Sequence, residues 1–180
     1  MGFRRRPRAG NSGATFYLEL FRALEEHRVR YLLVGGLAMN LHGVPRMTMD
    51  VDLVLALDAK NIDQFMRCAQ SLGLEPQVPV PVRALADPIA RTRWIQQRHM
   101  IAFALSAPEP SAPTVDVLIA HPLDVDVASA RAVVRDADGV AVRMASIEDM
   151  IALKSDTGRR QDADDVVHLR RLQDVDGDGC

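Results

Sequence analysis

The sequence predicts an α+β fold, a short mixed β-sheet flanked by helices, and three observations carry that reading. Apolar runs of strand length occur at 31–34, 50–57, 99–105 and 114–120. Stretches with apolar residues at helical spacing lie between and around them. A further pair of short runs, 132–135 and 140–143, is joined through Asp138-Gly139, a hairpin turn sequence.

Each element has its own signal. Tyr17, Leu20, Phe21 and Leu24 mark a helix over 15–28, and the strand 31–34 that follows stops at Gly35-Gly36. A short helix over 37–42 ends at Gly43 and Pro45. After the strand 50–57, Asp58 is an N-cap, Ile62, Phe65, Met66, Ala69 and Leu72 form a buried stripe, and Gly73 terminates the helix. The proline-rich stretch 75–90 reads as loop. The runs 99–105 and 114–120, joined by SAPEPSAP, suit an antiparallel pair. Ser146 caps a helix to about Ser155, and a last helix spans about 161–172.

At 180 residues the chain is the size of one domain. We divide it into a basic flexible arm (1–13), a domain (14–172) and an acidic flexible tail (173–180). Apolar residues make up 48% and charged residues 26%, which points away from disorder and fibre. A net charge of -2 argues against a chain-wide electrostatic grip on nucleic acid. Cys68 and Cys180 have neither disulfide-framework nor zinc spacing, no apolar run approaches bilayer length, and RRRPR leads into no apolar signal segment. A soluble protein of the reducing cytoplasm, with no membrane partner, is expected. RRRPR reads as a solvated arm, since no aromatic residue interleaves its charges. DVDGDG copies half of an EF-hand loop but has no closing glutamate, and Trp94 reads as the packed side of an amphipathic helix.

The informative residues are acidic. Side chains alternate along a strand, so Asp50 and Asp52 share one face, about 7 Å apart, while Val51, Leu53, Leu55 and Leu57 pack the other. Left alone, such a pair repels and resists desolvation; a hard divalent cation removes that cost. Asp116 lies inside the apolar run VDVLI, where a free charge is costly. If the two strands are neighbours, three carboxylates converge as a two-metal centre requires. Gly35-Gly36, where strand turns into helix, is either a simple turn or a phosphate cradle of free N–H groups. Lys154 falls on the buried stripe of Ile147, Met150 and Ile151, so it either meets an anion or passes beyond the helix end. Asp162 and Asp165 either hold Lys154 or Arg160 in place or form a solvated face.

Together, Gly35-Gly36, Asp50-x-Asp52 and a later Asp116 resemble the signature of the DNA polymerase β-like nucleotidyltransferase superfamily. The wording GGLAMNLHGVPRMTMDVDL resembles the small bacterial nucleotidyltransferases related to AbiE-type (AbiEii) toxins, over roughly residues 15–170. LKSDTGRRQDADD resembles a further motif of that family through Lys154, Arg160, Asp162 and Asp165, with Gln161 where a lysine is usual. The resemblance implies the polymerase β-like fold, and an Mg-dependent nucleotidyltransferase (EC 2.7.7-type) that moves a nucleoside monophosphate from a nucleoside triphosphate such as ATP to an acceptor hydroxyl. Asp50, Asp52 and Asp116 would hold two Mg²⁺ ions, or Mn²⁺, and Gly35, Gly36 and Lys154 would bind the triphosphate. Arg46 and Thr48, in the family's R-x-T-x-D-x-D wording, are either site residues, steadying the triphosphate and a metal ligand, or ordinary loop residues. A toxin-antitoxin or phage-defence setting is implied, with RNA such as tRNA, a protein partner or a small molecule as acceptor. The rival is a catalytically silent nucleotide-binding or antitoxin-like module of the same fold.

Overall fold

The computed structural model describes residues 12–107, 109, 112–155 and 157–177. A seven-stranded mixed sheet organises the chain, in the order β3-β4-β5-β2-β1-β7-β6. Helix α1 (Ser12–Glu26) leads into β1 (Tyr31–Val34), and α2 (Gly35–Leu41) starts directly at the end of that strand. Strand β2 (Val51–Leu55) returns antiparallel to β1, with Val34 opposite Asp52. Asp58 caps α3 (Ala59–Ser71) by accepting from the Asn61 N–H at 3.1 Å, and the buried face of α3 includes Ile62, Phe65 and Ala69.

The centre of the sheet sets up the site. Strand β5 (Val115–Leu118) runs parallel to β2, with Asp52 opposite Asp116, and β4 (Ala102–Ser106) pairs antiparallel on its far side. On the other flank β7 (Val140–Met144) lies parallel to β1 and closes a hairpin with β6 (Val133–Ala137). Val51, Leu53, Val54 and Leu55 are all buried, so apart from Asp52 strand β2 lies wholly in the core. Helix α6 (Ile147–Lys154) and the longer α7 (Arg160–Gly177) pack against each other and complete the domain.

Three segments depart from expectation. The stretch 75–90 is not all loop: β3 (Glu75–Pro76) edges the sheet, a 3-10 turn spans Val82–Ala86, and Asp87 caps α4 (Pro88–Arg98) by accepting from the Ile89 N–H. Proline there starts a helix, because at its first position the missing N–H costs nothing. Trp94 is the buried residue of α4 and packs on Phe103, ring centroids 5.9 Å apart. A six-residue helix, α5 (Val125–Ala130), is capped by Asp124, and no apolar stripe announced it. Finally, α7 continues through residues 173–177 of the expected tail; 178–180 lie outside the described residues, as do 1–11 of the expected arm, whose last two residues begin α1. Among the described residues no helix is long and apolar enough to cross a membrane.

Candidate active site

Beside β1, β2 and β5 lies a cavity of about 610 Å³, lined by Gly35, Gly36, Asp50, Asp52, Asp116 and Lys154 among others. The parallel register places Asp116 level with Asp52 on the neighbouring strand, so both carboxylates emerge on one face. Burial, the Asp116 charge and the Asp50 charge together raise Asp52 to about 6, against the opposing pull of Lys154 and of the Gly36 N–H that it accepts from. Burial first, and then Asp50, also raise Asp116. Asp116 Oδ1 is buried with no hydrogen-bond partner, an expensive state for a carboxylate oxygen.

The glycines answer to their neighbours. Gly35 has φ +66, and a Cβ there would stand 1.9 Å from Asp52 Oδ2. At Gly36 a Cβ would come within 2.8 Å of Thr48 Cβ. Only a strand end without side chains lets β2 and the loop before it approach so closely. Thr48 Oγ1 also lies 3.4 Å from the Asp50 carbonyl.

The cationic wall comes from elsewhere. Lys154, at the end of α6, donates to Asp162 Oδ1 at 2.9 Å and to Asp165 Oδ2 at 2.7 Å. Asp165, 2% exposed, also pairs with Arg46 at 3.1 Å, which ties the loop before β2 to α7. Burial alone would raise Asp162; hydrogen bonds from Lys154 and Thr157 outweigh it and hold the group below its ordinary value. The two α7 carboxylates are thus the counter-ions of Lys154 and no solvated face. Arg160 is exposed and does not reach the cavity; Arg159 and Gln161 do. Helix α7 begins at Arg160, one residue before the expected start.

Several contributors had no signal in the sequence. Thr114 Oγ1 donates to Asp50 Oδ1 at 2.8 Å and fixes the outermost carboxylate. Asn40 brackets the loop before β2 by accepting from the Arg46 N–H and donating to the Arg46 carbonyl. Tyr17 donates to the Met49 carbonyl at 2.9 Å. His42 has its Nε2 2.9 Å from the Ala145 carbonyl. Among the described residues, no three His, Cys, Asp or Glu side chains stand in a metal-holding arrangement. The carboxylates share one cavity but are turned apart, Asp50 towards Thr114 and Asp52 towards the Gly36 amide.

A strand running into Gly-Gly, opposite in-register aspartates on a mixed sheet, is the arrangement that the sequence resemblance to nucleotidyltransferases implies. The chain belongs to the AbiEii nucleotidyltransferase family, described as "Nucleotidyl transferase AbiEii toxin, Type IV TA system", whose model matches residues 19–179. Solved structures agree on the polymerase β-like fold. The lincomycin-bound lincosamide antibiotic adenylyltransferase LnuA is similar at TM-score 0.55 and 12% identity, over 91% of this chain and 99% of that one. A nucleotidyltransferase-like antigenic protein from Paracoccidioides brasiliensis gives TM-score 0.55 and 21% identity over 93% and 79%. The antibiotic-resistance factor ANT(2'')-Ia, in its solution structure, gives 0.51 and 16% over 88% and 80%. No curated protein matches the chain by sequence.

Proposed function

We propose that this protein is a Mg-dependent nucleotidyltransferase that moves a nucleoside monophosphate from a nucleoside triphosphate to an acceptor hydroxyl, in a toxin-antitoxin or phage-defence role in the cytoplasm. The in-register pair Asp52–Asp116, with Asp50 at the mouth of the same cavity, carries the reading. In the reaction an acceptor oxygen bonds to the α-phosphorus, the α–β anhydride bond breaks, and pyrophosphate leaves.

The donor set fits a hard divalent ion. It is all carboxylate oxygen, Asp116 Oδ1 is buried and unpaired, and the Asp50 charge raises the proton affinity of both Asp52 and Asp116. Asp50, Asp52 and Asp116 would hold two Mg²⁺ ions, or Mn²⁺, which supply charge neutralisation and ease loss of the acceptor proton. This chain's own groups do the rest. The Gly35-Gly36 backbone accepts the triphosphate at close range, and Lys154 and Arg159 offset its charge. Arg46 steadies Asp165, and through it Lys154. Asp162 holds Lys154 from the other side, and Thr48 supports the Gly36 turn.

The test is incubation with α-labelled nucleoside triphosphates, Mg²⁺ and total RNA or cell lysate, with Asp50→Ala as control. Label transferred to RNA, protein or a small molecule by the wild type alone is the expected outcome. Nucleotide binding without transfer would instead identify a silent module.

A further inference from the structure

The loop of residues 44–50 brings Arg46 and Thr48 to the cavity, and hydrophobic burial does little to hold it there. Val44 is buried, but beyond it Met47 and Met49 turn their side chains into solvent. Among the described residues, positions 45–49 make no backbone–backbone hydrogen bond. The shape of such a segment follows from whatever satisfies its polar groups.

At Arg46 that group is Asn40. Helix α2 buries Ala38 and Met39, which fixes the helix and leaves Asn40, one residue before its end, exposed on the loop side. Its Nδ2 donates to the Arg46 carbonyl at 2.9 Å, and its Oδ1 accepts from the Arg46 N–H. One amide thus fixes both polar backbone groups of a single residue, and with them the direction in which the Arg46 side chain leaves the loop. That side chain reaches Asp165 Oδ1 at 3.1 Å, while Lys154 holds Oδ2 of the same carboxylate at 2.7 Å. Asp165 is buried, so a guanidinium displaced from Oδ1 would leave half of a buried charge unpaired, which is costly unless Lys154 shifts to cover it. Tyr17 holds the far end of the loop, at the Met49 carbonyl, and has no such line to the cations.

We propose that Asn40 is a positioning residue for nucleotide: through Arg46 and Asp165 it sets where the Lys154 ammonium stands, and so how tightly the polyphosphate of a nucleoside triphosphate is held. The inference rests on the nucleotidyltransferase reading, in which Lys154 meets the triphosphate. Asn40 itself touches no substrate and takes no part in the transfer.

The test is calorimetric titration of the full chain, with Mg²⁺, by α,β-methylene-ATP and by AMP, which has no β- or γ-phosphate. In Asn40→Ala the triphosphate analogue binds about tenfold more weakly, the worth of one to two hydrogen bonds, while AMP binds as it does to the wild type. Asn40→Asp keeps the acceptor for the Arg46 N–H and loses the donor to its carbonyl. It falls between the wild type and Asn40→Ala, and it reads out the same clamp should the alanine variant not fold. In an Arg46→Met background the loss caused by Asn40→Ala disappears, because the two residues act in series. Unchanged affinity for the analogue, an equal loss of AMP binding, or a full further loss on top of Arg46→Met overturns the proposal. If the wild type binds neither nucleotide, it is the parent reading that falls.

Discussion

One hydroxyl group decides where Asp50 points. Thr114 sits just before β5, a step before the pair Val51–Val115, and so lies across from Asp50 and donates to it. Thr114→Val keeps the shape and removes the donor. A hydrogen bond to a charged group contributes on the order of 1.5–3 kcal/mol, so we expect label transfer to slow at least about tenfold, with nucleotide affinity little changed. Measured kcat and KM for the triphosphate check this, and an unchanged kcat would leave Thr114 without a role. The contrast with Asp116 shows what a single sequence exposes. Asp116 is legible because a carboxylate inside an apolar run has no cheap explanation. Thr114 is an ordinary residue until strand register is known, and register belongs to the sheet. For the same reason Gly35 and Gly36 could be read as a turn but not as the space that Asp52 and Thr48 occupy.

Helix α6 shows how local chemistry sets an element in place. Ser146 Oγ accepts from the Asp149 N–H at 3.2 Å and donates to Asp149 Oδ2 at 2.9 Å, while Arg131 grips the fully buried Asp149 carboxylate at 2.9 Å through Nε. Hydrogen bonding from Arg131 leads the effects that hold Asp149 below the ordinary carboxylate range. Because α6 ends at Lys154, its first turn registers a site residue at its last. Ser146→Ala is expected to cost about 1 kcal/mol, a fall of roughly 2–4 °C in Tm by calorimetry. No change would mean that Arg131 alone fixes the helix start. This cap was readable in sequence, as were β1, β2, the β6–β7 hairpin and α3, because each has its own periodicity and stop signal. Helix α4 was half hidden, since its start lies among prolines that also suit a loop, and α5 is too short to show a period.

For the molecule as a whole, the carboxylate cluster is a standing cost. Asp52 binds its proton more tightly in the folded chain, at about 6, than at its ordinary value of 3.8, so ionising it works against folding. The Asp52 contribution to stability is therefore greatest below about pH 4, falls as pH rises through about 6, and stays lower above that, by on the order of 2 kcal/mol. A divalent ion bound by these groups would return that stability only where they are ionised. We expect Mg²⁺ at about 10 mM to raise Tm by a few degrees at pH 7.5 and hardly at all at pH 5. Asp52→Asn should raise Tm without the ion and erase the response to it. An equal response at both pH values would place the ion elsewhere.

The parallel pairing of β2 with β5 has a consequence for how the chain comes into being. Residues 52 and 116 become neighbours only after the whole of α3, α4 and β4 has been made, and Lys154 joins them later still. A growing polypeptide therefore cannot assemble the walls of this cavity until α6 has been synthesised.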